Sequence, residues 1–234
     1  MMMIRFVLTG VLLILPLSVS GKDALSIKHP LSDEDISSAL ALGNDLTEKL
    51  PRLFLGAAGS DFASMRDDSN RNNNFMQQQP SVRTSGFGIE LYTPYSWLAK
   101  LARDAAKRGK KMLPLHVNEQ LRTPVLRVMC QADIPQRSRE GAYGTPVDNV
   151  VLLPSDKKFD KEVLPTHTMR IPDKYAIPGG GSVDIGPLLA SFDLADVLSL
   201  SSLHKKGEFY VSIVAADGKT KKFKVKSKHF KNLP

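Results

Sequence analysis

The feature that most constrains the fold is an alternating segment near the end of the chain, EFYVSIVAADGKTKKFKVK at residues 208–226. Apolar and polar residues alternate on both sides of Asp217-Gly218, which is a strong signal for a β-hairpin. A two-residue loop at that dipeptide would pair Phe209 with Lys226 and so place the phenylalanine on the same face of the hairpin as the lysines. A three-residue loop, 216–218, sets Phe209 opposite Val225 instead. Because a slip of one residue turns every side chain to the other face, the pattern predicts the three-residue loop, with its glycine in a left-handed conformation.

Short β-rich runs bounded by proline or glycine precede this hairpin from Thr123 onward. Strands are predicted at 125–130 (VLRVMC), 148–153 (DNVVLL) and 163–171 (VLPTHTMRI), with a loop at 177–186 and a short turn or 3₁₀ segment at 192–198. Several short strands separated by such turns are typical of an antiparallel β-sandwich.

Two helices are predicted before these strands. The first begins at Ser32, an N-capping residue followed by acids at 33–35, which suit the positive end of a helix. Its apolar stripe starts at Ile36 and continues until Pro51 stops it. Gly43-Asn44 is the point at which this helix could split in two.

The second helix is predicted to follow a short strand at 86–92 and to end at Gly109. Thr93 is its expected cap and Pro94 fits the first helical position. Trp97 lies beside the apolar stripe, so we expect it to anchor the helix on the neighbouring sheet. A ligand-stacking role is the alternative.

These patterns predict an α+β protein, mainly antiparallel β, with an immunoglobulin-like β-sandwich in its C-terminal half and two N-terminal helices packed on it. The predicted divisions are a signal peptide at 1–20, a helical N-terminal region at 21–122 and the sandwich domain at 123–234. The segment at 192–225 (FDLADVLSLSSLHKKGEFYVSIVAADGKTKKFKV) resembles the last strands of immunoglobulin-like sandwiches in exported bacterial proteins. It carries no catalytic motif, so the resemblance implies a fold only.

Residues 1–20 have the layout of a secretory signal peptide. Arg5 gives a positive start, FVLTGVLLILPL at 6–17 is apolar, and Ser18-Val19-Ser20 puts small residues before a cut at Gly21. The apolar run is shorter than the roughly 20 residues that a bilayer core requires. The single cysteine excludes an internal disulfide, which suits a larger exported bacterial protein better than a small secreted animal domain. The sequence therefore predicts a secreted or periplasmic protein without a transmembrane span.

A polar insertion separates the two helices. Residues 56–86 lose all periodicity, and the stretch 66–80 (RDDSNRNNNFMQQQP) is rich in amides. Composition of this kind predicts a mobile loop, and a functional lid is the alternative.

Positive charge is concentrated at the C-terminus. The chain has a net charge of +8. Residues 205–234 account for +7 of it, because they contain nine lysines and only two acidic residues, Glu208 and Asp217. Lys222, Lys224, Lys226 and Lys228 occupy alternate positions and are predicted to share one face with Tyr210. Lysine on an edge strand prevents strand-to-strand aggregation. The alternative is an anion-binding strip for an envelope polymer or nucleic acid.

Motifs for metal or phosphate chemistry are absent from the sequence. The five histidines (29, 116, 167, 204 and 229) show no pair at a zinc-binding spacing. His167 falls in a predicted strand and could meet other groups in space. The glycine run at 178–182 lacks the lysine and the following helix of a phosphate loop, so it predicts a flexible turn.

Nucleophile motifs are equally weak. Cys130 shares strand parity with Leu126 and Val128, so it is predicted to be a buried and inert thiol. No GxSxG occurs, and the serine-rich turn at 199–202 lacks a strand-to-helix elbow.

The sequence thus predicts an exported, non-catalytic binding or structural module without a cofactor or metal. Its expected partner is an anionic envelope polymer, contacted through the basic hairpin, or another exported protein. The alternative is a secreted hydrolase whose acid or Ser/His site the sequence does not display. A pocket with converging carboxylates, or with histidine beside serine, would favour the enzyme.

Overall fold

The computed structural model describes residues 25, 27–51, 53–56, 87–131, 146–155, 161–172, 174–176, 182–184, 186–204 and 206–230. The predicted signal peptide at 1–20, nearly all of the predicted loop at 56–86 and most of the glycine run at 178–182 lie outside the described residues. No helix among the described residues is long and apolar enough to cross a membrane.

Three of the four α-helices precede the long run of strands between residues 125 and 193 in the described chain. The helices are α1 (Asp33–Asn44), α2 (Pro94–Ala106), α3 (Glu119–Arg122) and α4 (Leu194–Ser202), with 3₁₀ helices at Pro114–His116 and Ser227–Phe230. The strands are β1 (Leu53–Gly56), β2 (Gly88–Tyr92), β3 (Val125–Gln131), β4 (Val147–Leu153), β5 (His167–Arg170), β6 (Lys174–Ala176), β7 (Ser182–Asp184), β8 (Leu188–Asp193), β9 (Phe209–Ala215) and β10 (Thr220–Val225).

The strands form two sheets and a short ribbon. One sheet has five strands in the order β1-β2-β3-β8-β5, the other has three in the order β10-β9-β4, and β6 pairs with β7 alone. Each of these pairings is antiparallel. The predicted class, α+β with mainly antiparallel sheets, is confirmed.

One hydrophobic core joins the two larger sheets. The five-stranded sheet contributes Leu126, Val128 and Phe192, and the three-stranded sheet contributes Phe209 and Val211, all of them buried. Strands β1 and β2 extend the five-stranded sheet beyond β3. This sheet therefore combines strands from before and after residue 123, where the sequence analysis divided the chain. We call the face that contacts this core the inner face of each sheet and the opposite one its outer face.

The C-terminal hairpin has the predicted register. Val225 pairs with Phe209 on the inner face, and the loop 216–218 closes with Gly218 at a φ of +80°. The Gly218 N–H donates to the Ala215 carbonyl at 2.8 Å, and the Ala215 N–H donates to the Lys219 carbonyl at 2.8 Å. A side chain at Gly218 would be strained, because L-residues rarely adopt this φ.

Both predicted N-caps are confirmed. Ser32 and Asp35 form a reciprocal capping box, with the Asp35 N–H donating to the Ser32 hydroxyl at 3.1 Å. The Thr93 hydroxyl accepts from the Ser96 N–H at 3.2 Å, and Pro94 is the first residue of α2. Helix α1 ends at Asn44, so it is interrupted at Gly43-Asn44, the alternative considered above, and the continuation to Pro51 is wrong.

A close approach of α1 and α2 explains this early end. A Cβ atom on Gly43 would lie 2.2 Å from the Ala99 carbonyl oxygen, so only glycine fits there. The buried Arg103 of α2 then donates to four backbone carbonyls at the end of α1, those of Leu42, Gly43, Asp45 and Glu48, at 2.6–3.1 Å. These bonds satisfy carbonyls that a helix end leaves without partners. Pro51 plays no part in the helix end.

Three strand-level predictions need correction. Regular strand structure in 163–171 is confined to β5, and Val163 forms only an isolated bridge to Leu152. The predicted loop at 177–186 contains β7, which pairs with β6. The predicted turn at 192–198 is the end of β8 followed by α4, because Asp193 caps a helix by accepting from the Ala195 N–H at 2.8 Å.

Candidate anion-binding surfaces

The lysines of the C-terminal hairpin are brought together only in part. Lys222 and Lys224 lie on β10, opposite Ser212 and Tyr210 of β9, on the face away from buried Phe223. β10 is an edge strand of its sheet. This position agrees with lysines that protect the edge from aggregation and also with lysines that bind an anion.

Lys226 and Lys228 depart from the predicted alternation. β10 ends at Val225, and Lys228 lies in the 3₁₀ helix Ser227–Phe230. The Lys226 N–H donates to Nδ1 of His229 at 3.2 Å, which helps to fix this short helix. Two of the four lysines therefore lie on the strand and two follow it, rather than forming a strip of four along one strand.

Two acidic residues moderate the charge of this group. Lys224 Nζ lies 2.6 Å from a Glu208 carboxylate oxygen and 5.9 Å from the centroid of the Tyr210 ring. The hydrogen bond between Lys224 and Glu208 raises the pKa of Lys224 and lowers the pKa of Glu208. Lys219 pairs with Asp217 at 2.7 Å. Seven lysines nevertheless lie within 206–230 against these two acids, so the surface stays positive.

A buried cation, Arg127, lies in a polar row on the outer face of the five-stranded sheet, and sequence reasoning did not single it out. Strand pairing aligns Tyr92, Arg127, Ser191 and His167 in one row across β2, β3, β8 and β5. Exposure increases along this row, from buried Tyr92 and Arg127 through half-buried Ser191 to exposed His167. The signal for it was the parity that placed Cys130 inside, since the same parity places Arg127 outside.

Helix α2 covers the buried end of this row. Trp97 packs with Tyr92, Met129 and Leu189, and its ring lies edge-on to the Tyr92 ring at 5.4 Å between centroids. The predicted role of Trp97 as an anchor of α2 on the sheet is confirmed. The Arg127 guanidinium carbon lies 5.1 Å from the centroid of the Trp97 ring, within cation–π range.

An open groove of about 660 Å³ lies between the C-terminal ends of α1 and α2. Its lining combines apolar side chains such as Leu46 and Leu113 with Lys110 and Lys111, and its one carboxylate is that of Asp45. Hydrogen bonds from Thr47 lower the pKa of Asp45 and hold its carboxylate on the backbone of the same turn. This lining has neither the carboxylate pair nor the histidine with serine that would favour a hydrolase.

The histidines remain dispersed in the described part of the chain. His167 faces Ser191 across β5 and β8, but no hydrogen bond joins their side chains. His116 Nδ1 accepts from the Leu113 N–H at 3.0 Å, a bond local to one turn. No group of three or more His, Cys, Asp or Glu residues among those described could hold a metal ion.

Cys130 lies on the inner face of β3 and is completely buried, as predicted. Burial raises the pKa of its thiol, so the reactive thiolate is disfavoured.

No protein-family model, curated protein or solved structure matches this chain.

Proposed function

We propose that this protein is an exported, non-catalytic binding module that contacts an anionic cell-envelope polymer through its basic C-terminal hairpin. The observation that carries the proposal is the placement of Lys222 and Lys224 together on the outer face of an edge strand, with Lys226 and Lys228 directly beyond it. The predicted signal peptide at 1–20 supports export.

The scaffold supports this function because the hairpin is rigidly held. Phe209, Phe223 and Val225 are buried in the shared core, so the backbone that carries the lysines does not need to be ordered by the ligand. The shared core of the two sheets supports an immunoglobulin-like sandwich as that scaffold, with β1 and β2 as additions to it.

The ligand class follows from the charges. Lysine is a flexible point charge, and a group of lysines without a fixed bidentate geometry suits repeated anionic groups along a polymer. Released counterions supply much of the binding free energy in such contacts. Among the described residues, Tyr210 is the one aromatic ring in contact with Lys224. Single-stranded nucleic acids are usually bound on several stacking aromatic rings, so this surface fits a nucleic acid less well.

The test uses polyphosphate as the polymer and the variant K222Q/K224Q/K226Q. We expect the mature protein to bind polyphosphate at low salt and the variant to lose most of this affinity, with an unchanged circular dichroism spectrum. The control is K49Q/K110Q/K111Q, which removes the same charge from exposed lysines elsewhere.

The same experiment distinguishes lysines that bind the polymer from lysines that only protect the edge strand. Absent binding, or equal binding by both variants, would contradict the proposal. If K222Q/K224Q/K226Q also aggregates more readily than the control, the lysines protect the edge strand instead.

A further inference from the structure

Arg127 is a buried cation for which the described part of the chain shows no side-chain hydrogen bond or ion pair. Its side chain is 8% exposed, and Nη1 is fully buried with no hydrogen bond. Its guanidinium makes a cation–π contact with the Trp97 ring. Buried charges in proteins are normally paired and hydrogen-bonded, so this side chain calls for an explanation.

Two acidic side chains described on this side of the sheet, Glu90 and Asp104, have other partners. Glu90 lies on the same face of β2, and its carboxylate accepts a hydrogen bond from the Tyr92 hydroxyl. Asp104 of α2 pairs with Lys100 at 2.5 Å. Burial lowers the pKa of Arg127 to about 10, so the guanidinium is still charged at neutral pH.

The contrast with Arg103 is informative. Both arginines are buried to a similar degree, but Arg103 donates to four carbonyls. Arg103 is therefore a structural residue with its donors occupied. In Arg127, by contrast, Nη1 has no hydrogen bond, and the residue lies in a row whose exposure increases towards Ser191 and His167.

We propose that Arg127 is the centre of a binding site for the oxyanion of a small ligand, a carboxylate or a phosphate group, on the outer face of the five-stranded sheet. The ligand would approach over β8 and β5, where Ser191 is half-buried and His167 exposed. Ser191 and His167, which follow Arg127 in the same row, can supply further hydrogen bonds to it.

The chemistry of the site favours an oxyanion. A guanidinium presents paired N–H donors that match the two oxygens of a carboxylate or phosphate. The cation–π contact with Trp97 places the Arg127 guanidinium carbon 5.1 Å from the ring centroid. Lys100 Nζ lies 5.7 Å from the same centroid, but Asp104 balances its charge, so Arg127 is the cation that the proposal relies on. An anion here would neutralise a buried charge.

The test uses the fluorescence of Trp97, the only tryptophan in the chain and a direct neighbour of Arg127. Inorganic phosphate and acetate are titrated separately at constant ionic strength, which distinguishes a tetrahedral from a planar oxyanion. We expect a saturable change in emission with at least one of them, and a rise in melting temperature at the same concentrations.

The decisive variant is Arg127→Met, with Arg122→Met as a matched control on an exposed arginine that pairs with Asp33. We expect Arg127→Met to weaken the apparent affinity by about tenfold or more. Its melting temperature without probe should be equal or higher, because an unpaired buried charge is removed. Arg122→Met should bind as the wild type does.

Arg127→Lys decides the case if Arg127→Met does not fold, since it keeps the charge and loses the paired donors. It should bind acetate or phosphate more weakly than the wild type. K222Q/K224Q/K226Q should keep the fluorescence response in full, which separates this site from the basic hairpin. A wild-type protein without a saturable response to either probe, or an unchanged response in the Arg127 variants, would overturn the proposal.

Discussion

Gly43 allows the backbones of α1 and α2 to touch, and this is a residue-scale constraint on the whole helical layer. We predict that Gly43→Ala destabilises the protein by about 1–3 kcal/mol, because the added Cβ would lie 2.2 Å from the Ala99 carbonyl oxygen. Helix propensity alone predicts the opposite, a gain of about 1 kcal/mol.

Urea unfolding measures this difference, with the exposed Ser37→Ala in the same helix as the control. Ser37→Ala should change the free energy of unfolding only slightly. A Gly43→Ala protein as stable as the wild type would mean that the two helices are farther apart than described.

Cys130 gives a second prediction at this scale. Because its side chain is completely buried and burial raises its pKa, a thiol reagent should label the native protein slowly and the urea-unfolded protein rapidly. Mass spectrometry over time reads both rates. Rapid labelling of the native protein would reopen the possibility of a catalytic thiol.

The residue scale also shows where sequence reasoning stops. Strand parity was enough to bury Cys130, because parity depends only on neighbours along one strand. The roles of Arg103 and Arg127 depend on which helix covers which face. Arg103 meets carbonyls some 55–61 positions earlier in the chain, and no local pattern encodes such a contact.

At the scale of elements, the hairpin of β9 and β10 was predictable down to its register. Its turn residue, its alternation and the need to bury Phe209 all selected one pairing, and the structure has that pairing. Helix α4 was missed because no proline or glycine separates it from the preceding strand β8. Its cap, Asp193, is also the last residue of β8, so strand and helix signals overlap.

The 3₁₀ helix Ser227–Phe230 carries a pH-dependent contact. Burial lowers the pKa of His229, and the positive charges of Lys228 and Lys226 lower it further. The unfolded chain therefore binds a proton more readily than the folded one. Stability from this group is present above the usual histidine pKa near 6.5 and is lost as the pH falls through that value towards the lower folded-state pKa.

We predict that the free energy of unfolding falls between pH 7.5 and 5.5, and that part of this fall disappears in His229→Asn. Asparagine can still accept from the Lys226 N–H but cannot take up the proton. Urea titrations at several pH values measure the slopes. Equal slopes in the two proteins would contradict a neutral, half-buried His229.

At the scale of the whole molecule, the α+β class followed from the change of hydrophobic period at Thr123, and the structure confirms it. The sequence did not predict which strands belong to which sheet. β1 and β2 precede and follow the predicted loop at 56–86, yet they pair with each other and extend the sheet of β3 and β8. Pairing over such separations depends on the overall topology, which single-strand patterns do not contain.

Export is also a property of the whole molecule. We predict that the secreted or periplasmic protein begins near Gly21, because Ser18-Val19-Ser20 has the small residues that signal peptidase accepts. N-terminal sequencing of the protein recovered outside the cytoplasm checks this. An intact Met1 on the exported protein would contradict the prediction.

The most direct test of the proposed function is the salt dependence of polyphosphate binding. Each charge contact with a flexible polyanion contributes roughly 0.7 to the slope of log affinity against log salt concentration. We predict a steep negative slope for the mature protein and a slope shallower by about 2 for K222Q/K224Q/K226Q. The control K49Q/K110Q/K111Q should keep the wild-type slope. If all three proteins share one slope, the basic hairpin does not bind the polymer.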